Sequence, residues 1–233
     1  MQRLFTLATS RHLTDTCLAN ALGQVPITGG IICFSVEPKT KNIYVLLGRE
    51  TCFDRMDSHN GRWCDFGGKI NCHESVISGA AREFAEESLC LVQLPAVKNK
   101  SYTKYMEQVK VMLLEEDYFM KMTFTVNNQL RVYYLKEVPW QPEIEHRFAE
   151  TREKLLSATK DPNALPFSLR HHPAVNKSEI DLHFLEKQSV AWWSIDRLAE
   201  VVDNQGRFKR QKFRRLFLPI LRSVVYNLQK LYA

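Results

Sequence analysis

Glu83, Glu86 and Glu87 stand at i, i+3 and i+4 within Ser75 to Ser88, a stretch where Ile77, Ala80, Ala81 and Phe84 recur at helical spacing. On such a helix the three carboxylates share one face, rotated by roughly 120° from the apolar stripe that packs inward. Like charges this close destabilise a bare helix, so the arrangement makes physical sense if a divalent cation lies among them. Oxygen-only donors suit Mg²⁺ or Mn²⁺, which keep several waters and bridge to phosphate oxygens. A metal so held neutralises a diphosphate and acidifies a bound water, as hydrolysis of a phosphoanhydride requires. A solvated acidic helix face would explain the glutamates, but it would require neither Gly67-Gly68 upstream nor Arg82 beside Glu83.

Gly68, Glu74, Arg82, Glu83, Phe84, Glu86 and Glu87 fit, at the required spacing, the box G-x5-E-x7-R-E-U-x-E-E-x-G-U, with U a bulky apolar residue. The chain therefore resembles the Nudix hydrolases. Only the last Gly departs, since position 89 is Leu. The flanks are similar too: a Leu-Leu-Gly-Arg run at Leu46 to Arg49, an aromatic run into Phe-Gly-Gly-Lys at Trp63 to Lys69, and Glu186 six residues before Trp192. The resemblance covers about residues 28 to 202, with the 139–175 segment and the basic tail outside it. It implies that Glu83, Glu86 and Glu87 hold Mg²⁺ or Mn²⁺, with the Gly67 carbonyl a further ligand. Arg82 would brace a neighbouring glutamate, Glu74 would support it, and Arg49 and Lys69 would meet substrate. The general base varies within the family, being either a box glutamate or a later acid; Glu186 leads here, followed by Glu179, Glu143 and Glu145. A Gly at position 89 would take the left-handed conformation that Leu adopts only at a cost, so local geometry should change while the ligands remain.

The elements that must position these groups follow from periodicity. Thr28 to Val36 and Asn42 to Leu47 read as strands joined by a short connection. A polar loop follows, and Ser75 is the expected N-cap of the glutamate helix. Val109 to Leu114, Tyr118 to Val126 and Leu130 to Leu135 read as strands, the last two parted by the hairpin signal Asn127-Asn128. The charged segment 139–175, carrying Arg170 and His171-His172, suits a helix and then a loop, an insertion or cap over a site. Ser189 to Trp193 reads as a closing strand and Ile195 to Val202 as a helix. This order, with the resemblance, predicts an α+β fold: one domain over 1–233, a Nudix-type α/β/α sandwich with a mixed β-sheet, a core at about 25–202, the inserted segment, and a basic amphipathic C-terminal helix at about 207–232. One of Tyr133-Tyr134 and one of Trp192-Trp193 should be core; the other of each pair is free to stack on a base.

The composition is that of an ordinary globular protein, with 45% hydrophobic and 25% charged residues. The formal charge of +6 is uneven. Residues 204–233 hold eight basic side chains and no acid, leaving the remainder slightly acidic. Arg207, Lys209, Arg210, Lys212, Arg214 and Arg215 are the candidate polyanion contacts, set at a helix N-terminus whose dipole they oppose. A solubilising helix, a membrane-surface contact and a nuclear localisation signal are the other readings of the same run. Six cysteines at irregular spacing, with no C-x-x-C pair, argue against a zinc knuckle or disulfide framework; Cys64 and Cys72, beside the glycine turn, read as small apolar fillers. With no signal-like segment and no apolar run of transmembrane length, the expectation is a cytoplasmic protein of a reducing compartment, or a nuclear one.

The expected activity is hydrolysis of a phosphoanhydride in a nucleoside diphosphate linked to another moiety. The leading substrate is the 5′ cap of RNA, because the cationic tail could hold a long polyanion and because decapping members of large DNA viruses share the general resemblance. Small nucleotides and diphosphoinositol polyphosphates are the alternative substrates. A non-catalytic RNA-binding module is the alternative of another class.

Overall fold

The computed structural model describes residues 26–51, 61–94, 101–126, 129–160, 175–176 and 179–232. Its centre is β1 (Pro26–Val36), flanked by every kind of pairing a mixed sheet allows. The second half of β1 pairs antiparallel with β2 (Ile43–Glu50), and the first half with β4 (Phe66–Lys69), which follows the short β3 (Arg62–Cys64). Its other edge runs parallel to β6 (Gln129–Glu137), which pairs in turn with β5 (Met120–Val126). Because β1 leaves β2 to join β4, the sheet splits there, and the Gly67-Gly68 backbone sits at the split opposite Gly30 and Gly29.

Side chains alternate across this sheet, and both faces are covered. Ile31, Cys33, Leu46, Val132 and Tyr134 point to one core, shared with α1 (Val76–Glu87), α2 (Tyr102–Leu114) and α3 (Ile144–Lys160). Ile32, Phe34, Val45, Leu47, Tyr133 and Leu135 point to the other, shared with α4 (Ile195–Asp203) and α5 (Leu218–Tyr232). The fold is thus α+β, a mixed sheet between two helical layers, as expected. Tyr133 and Tyr134 are both buried, against the expectation that one would be free, because neither face of β6 meets solvent.

Two elements differ from the sequence expectation. Residues 109–114 close helix α2 instead of forming a strand. Ser101 caps that helix by accepting a hydrogen bond from the Lys104 amide, and Tyr105, Val109, Met112 and Leu113 bury one helical stripe. The β-branched Val109 and Val111 favour a strand locally, and the stripe overrides them. The basic run 207–215 is not the first part of a helix. It forms a hairpin, β10 (Arg207–Phe208) and β11 (Gln211–Phe213), turned at Lys209 with φ 52° and joined through β11 to β3 in parallel. Phe208 and Phe213 anchor it, with ring centroids 5.8 Å and 5.0 Å from Trp193. Helix α5 begins only at Leu218, with Pro219 in its first turn, where a missing amide hydrogen costs nothing.

The strand β9 (Lys187–Ser194) lies along the free edge of β2, preceded by a small ribbon, β7 (Val175–Asn176) with β8 (Glu179–Ile180), and a 3-10 turn at Leu182–Leu185. Helix α3, the helical half of the 139–175 segment, packs on β9 and buries Ile144, Phe148, Leu155 and Ala158. Arg170, His171 and His172 fall outside the described residues, as do Asn127 and Asn128; the β5–β6 pairing closes at Val126 opposite Gln129. Among the described residues, no helix is long and apolar enough to cross a membrane.

Candidate active site

Helix α1 starts as its sequence dictates, with the Ser75 hydroxyl accepting from the Ser78 amide. It ends in a Schellman arrangement: the Leu89 amide donates to the Glu86 carbonyl and the Cys90 amide to the Ala85 carbonyl. Leu89 adopts the left-handed conformation, φ 54°, that the sequence raised as costly. Its side chain is only 1% exposed in the first core, and that burial offsets the backbone cost.

The amphipathic roll of α1 presents its glutamates to β4 and β9. Arg82 links most of them. Its Nε lies 3.0 Å from Glu74 Oε1, and its Nη1 lies 2.9 Å from Glu83 Oε1 and 3.1 Å from Glu86 Oε2. Its Nη2 donates to the Lys69 carbonyl on β4. Arg82 thus bridges Glu74, Glu83 and Glu86. Glu87 is separate and almost fully buried. Its Oε2 accepts from the Gly67 amide at 2.7 Å, and its Oε1 lies 2.8 Å from Lys187 Nζ.

Lys187, which the sequence reading missed, is the only described lysine with no exposure at all. Its ammonium also meets Glu50 Oε1 at 3.0 Å and Cys64 Sγ at 3.0 Å. Its methylene stem crosses Gly48, where a Cβ would stand 2.8 Å from the lysine Cδ. A glycine inside an apolar strand marks a close approach by another group, and that was the available signal. Arg214 reaches Glu50 Oε1 as well, at 2.9 Å. Arg214 is thereby removed from the set of expected polyanion contacts. Arg49 stands on the other face of β2 from Gly48 and Glu50, donating to the Gly61 carbonyl at 3.0 Å; the pleat separates it from the glutamates. The Lys69 side chain is exposed beside them.

Two further groups come from distant segments. Tyr102, the first residue of α2, donates its hydroxyl to Glu86 Oε1 at 2.9 Å. It was missed because this helix was not foreseen. Glu186 ends the 3-10 turn that packs on α1, and its Oε1 lies 2.8 Å from His183 Nδ1. Of the weaker base candidates, Glu145 accepts from the Trp192 amide and Glu143 pairs with Arg147, both on α3 or its approach, while the Glu179 side chain is outside the described residues. Cys64 is buried as expected but touches the Lys187 ammonium and Glu50, so it is part of a polar cluster; Cys72 is exposed and fills nothing.

The electrostatics follow from this crowding. Burial, with repulsion from Glu86 and Glu186 and against the pull of Arg82, raises the Glu83 carboxyl to about 7. Burial also raises Glu86, against Tyr102 and Arg82. At Glu50 burial acts upward, but Lys187 and Arg214 prevail and hold the carboxyl below its usual value. Burial would lower Lys187, yet the surrounding acids more than offset it and the ammonium stays charged. The Glu186 carboxylate, accepting from the His183 ring, raises His183.

Among the described residues, six carboxyl groups, Glu50, Asp65, Glu74, Glu83, Glu86 and Glu87, here face three cationic side chains, Arg82, Lys187 and Arg214. Asp65 Oδ2 is buried and has no hydrogen-bond partner among the described residues. The surplus of hard, crowded oxygen donors fits a divalent cation. Among the described residues no three acidic, histidine or cysteine side chains already surround one point, and Arg82 Nη1 lies between Glu83 and Glu86.

No family model matches the chain, and no curated protein matches it. Solved structures are similar in the course of the chain. One is a MutT/nudix family protein from Listeria innocua, with 13% identity and a TM-score of 0.44, covering 88% of this chain and 94% of that one. Another is the NUDIX domain of Shewanella oneidensis NrtR complexed with ADP ribose, with 13% identity and a TM-score of 0.43, covering 89% and 92%. A third is a C. elegans Ap4A hydrolase, with 13% identity and a TM-score of 0.39, covering 88% and 99%. Likeness at this level carries no functional weight.

Proposed function

We propose that the chain is a Nudix-type hydrolase that cleaves a phosphoanhydride bond in a nucleoside diphosphate linked to another moiety, with the 5′ cap of RNA as its substrate. The observation that carries this is the cluster of Glu83, Glu86 and Glu87 against Gly67-Gly68, where acids outnumber cations and burial raises the Glu83 and Glu86 carboxyls. Glu83 and Glu86 are the residues that would hold Mg²⁺ or Mn²⁺, with Glu87 and the Gly67 carbonyl adjoining. When bound, the metal supplies charge to neutralise the diphosphate and acidity to its coordinated water.

The chain's own groups do the rest. Arg82 spans Glu74, Glu83 and Glu86 and fixes their spacing. Tyr102 locks the Glu86 rotamer from α2. Lys187 holds Glu87 and Glu50 in place from β9. Glu186, steadied by His183, is the proposed acceptor of the attacking water's proton, and Lys69 is the exposed cation on the substrate side. The basic run after residue 206 supports a long polyanion over a free nucleotide.

The test incubates the protein with Mg²⁺ or Mn²⁺ and cap-labelled RNA, free cap analogue, sugar nucleotides, dinucleoside polyphosphates and a diphosphoinositol polyphosphate. Release of a nucleoside diphosphate from capped RNA, lost by more than about 100-fold in Glu86→Gln without unfolding, is the expected result. Turnover confined to the small substrates overturns decapping. No turnover with any of them overturns the hydrolase and leaves a binding module.

A further inference from the structure

The β10–β11 hairpin has a cavity on each side, and the two differ in chemistry. On one side, Arg62, Lys212 and Arg207 lie in register across β3, β11 and β10. At the usual strand spacing the row spans about 10 Å. Like charges directly opposite one another on neighbouring strands destabilise a sheet, and no acid among the described residues is paired with any of the three. Arg215 joins them around a cavity of about 510 Å³ whose lining, among the described residues, holds four cationic side chains, two amides and no carboxylate. On the other side, a cavity of about 580 Å³ is lined by Trp192 and Phe208, both partly exposed, with Arg197, Lys209 and Arg210, and Glu145 at its wall. Lys209 Nζ lies 5.4 Å from the Phe208 ring centroid.

We infer that this hairpin is a binding platform for single-stranded RNA. The Arg62–Lys212–Arg207 row takes backbone phosphates, and the Trp192–Phe208 cavity takes an unstacked base. Phosphates in the row turn the like-charge repulsion into attraction, and aromatic rings beside cations are how single strands are held without sequence readout. A duplex presents the phosphates but no free base face, and a free anion or an anionic membrane needs no aromatic cavity. This deepens the RNA reading of the proposed function and adds Arg62, which lies about 145 residues before the basic run, while excluding Arg214, whose guanidinium is held by Glu50.

The test measures binding of the full chain to a fluorescent single-stranded RNA with a 5′-hydroxyl, without divalent metal, over a range of salt concentrations. The unmodified protein should prefer the single strand over its duplex and over inorganic polyphosphate. The double variant Arg62→Ser/Lys212→Ser should lower the slope of log affinity against log salt by about 1.4, at about 0.7 per single-strand contact. Phe208→Leu, which keeps an apolar anchor, should weaken RNA while leaving polyphosphate binding unchanged. Arg222→Ser, an exposed cation on α5, serves as control and should change neither. An unchanged slope in the double variant overturns the inference, as does equal binding of RNA and polyphosphate. Because neither cap nor metal is present, RNA binding without turnover would overturn the hydrolase alone, and turnover with no affinity for the uncapped strand would overturn the platform alone.

Discussion

The carboxylate of Glu83 occupies the space that a side chain on residue 68 would need: a Cβ added to Gly68 would stand 2.5 Å from its carboxyl carbon and 2.5 Å from Oε2. The glycine in front of the glutamate helix is thus a steric vacancy on β4 into which the acid is pressed. It also explains why Glu83 is crowded enough for its carboxyl to rise.

Gly68→Ala should therefore push Glu83 away from β4 and away from Arg82. The strand itself accepts alanine, so the loss of stability should be that of local overpacking, about 1–3 kcal/mol, read from denaturant unfolding. Mn²⁺ affinity, measured by titration calorimetry, should fall at least tenfold. Unchanged affinity would mean that Glu83 is not a ligand.

Lys187→Met should cost much more. It leaves Glu87 and Glu50 buried without their ammonium partner, and breaking a buried pair from one side typically costs about 3–5 kcal/mol. Adding Glu87→Gln to that variant should recover part of the loss, since the second change removes the stranded charge. A double variant no more stable than Lys187→Met would show that the pair does not act as a unit.

A third expectation concerns pH in the presence of chelator. The Glu83 carboxyl is raised from 4.5 to about 7, so between those values the folded chain binds more protons than the unfolded one. Its contribution therefore disfavours folding increasingly as pH rises from about 4.5 to 7, and then levels off, by a few kcal/mol in total. Comparison with Glu83→Gln isolates the effect: the variant should gain relative stability over that window. A stability difference that stays flat with pH would contradict the assigned environment of Glu83.

Much of this site is written locally. The spacing Glu83, Arg82, Glu86, Glu87 after Gly68 needs only a helix to bring those groups together, and Ser75 with the Ile77–Phe84 stripe supplies one. The strands β1, β2, β5 and β6 were equally plain because alternation and turn residues agree there. Residues 109–114 were misread because β-branched side chains and a helical stripe point in opposite directions, and only burial against α1 decides between them. The basic run was misread because Phe213, Leu216 and Phe217 extend the helical spacing of α5 backwards, while the pairing of β11 with β3 depends on Trp63, 150 residues earlier.

The sequence by itself determined the chemistry of the helix: which carboxylates share a face, and that they repel. Tertiary structure decided which cations answer them. Lys187 reaches Glu87 only because β9 lies antiparallel to β2 with Gly48 beneath its stem, and Tyr102 reaches Glu86 only because α2 packs on α1. Arg214 is drawn inward while Arg62 joins the hairpin. These pairings join segments from about 16 to 160 residues apart, and no local pattern encodes them, because each depends on the register of one strand against another.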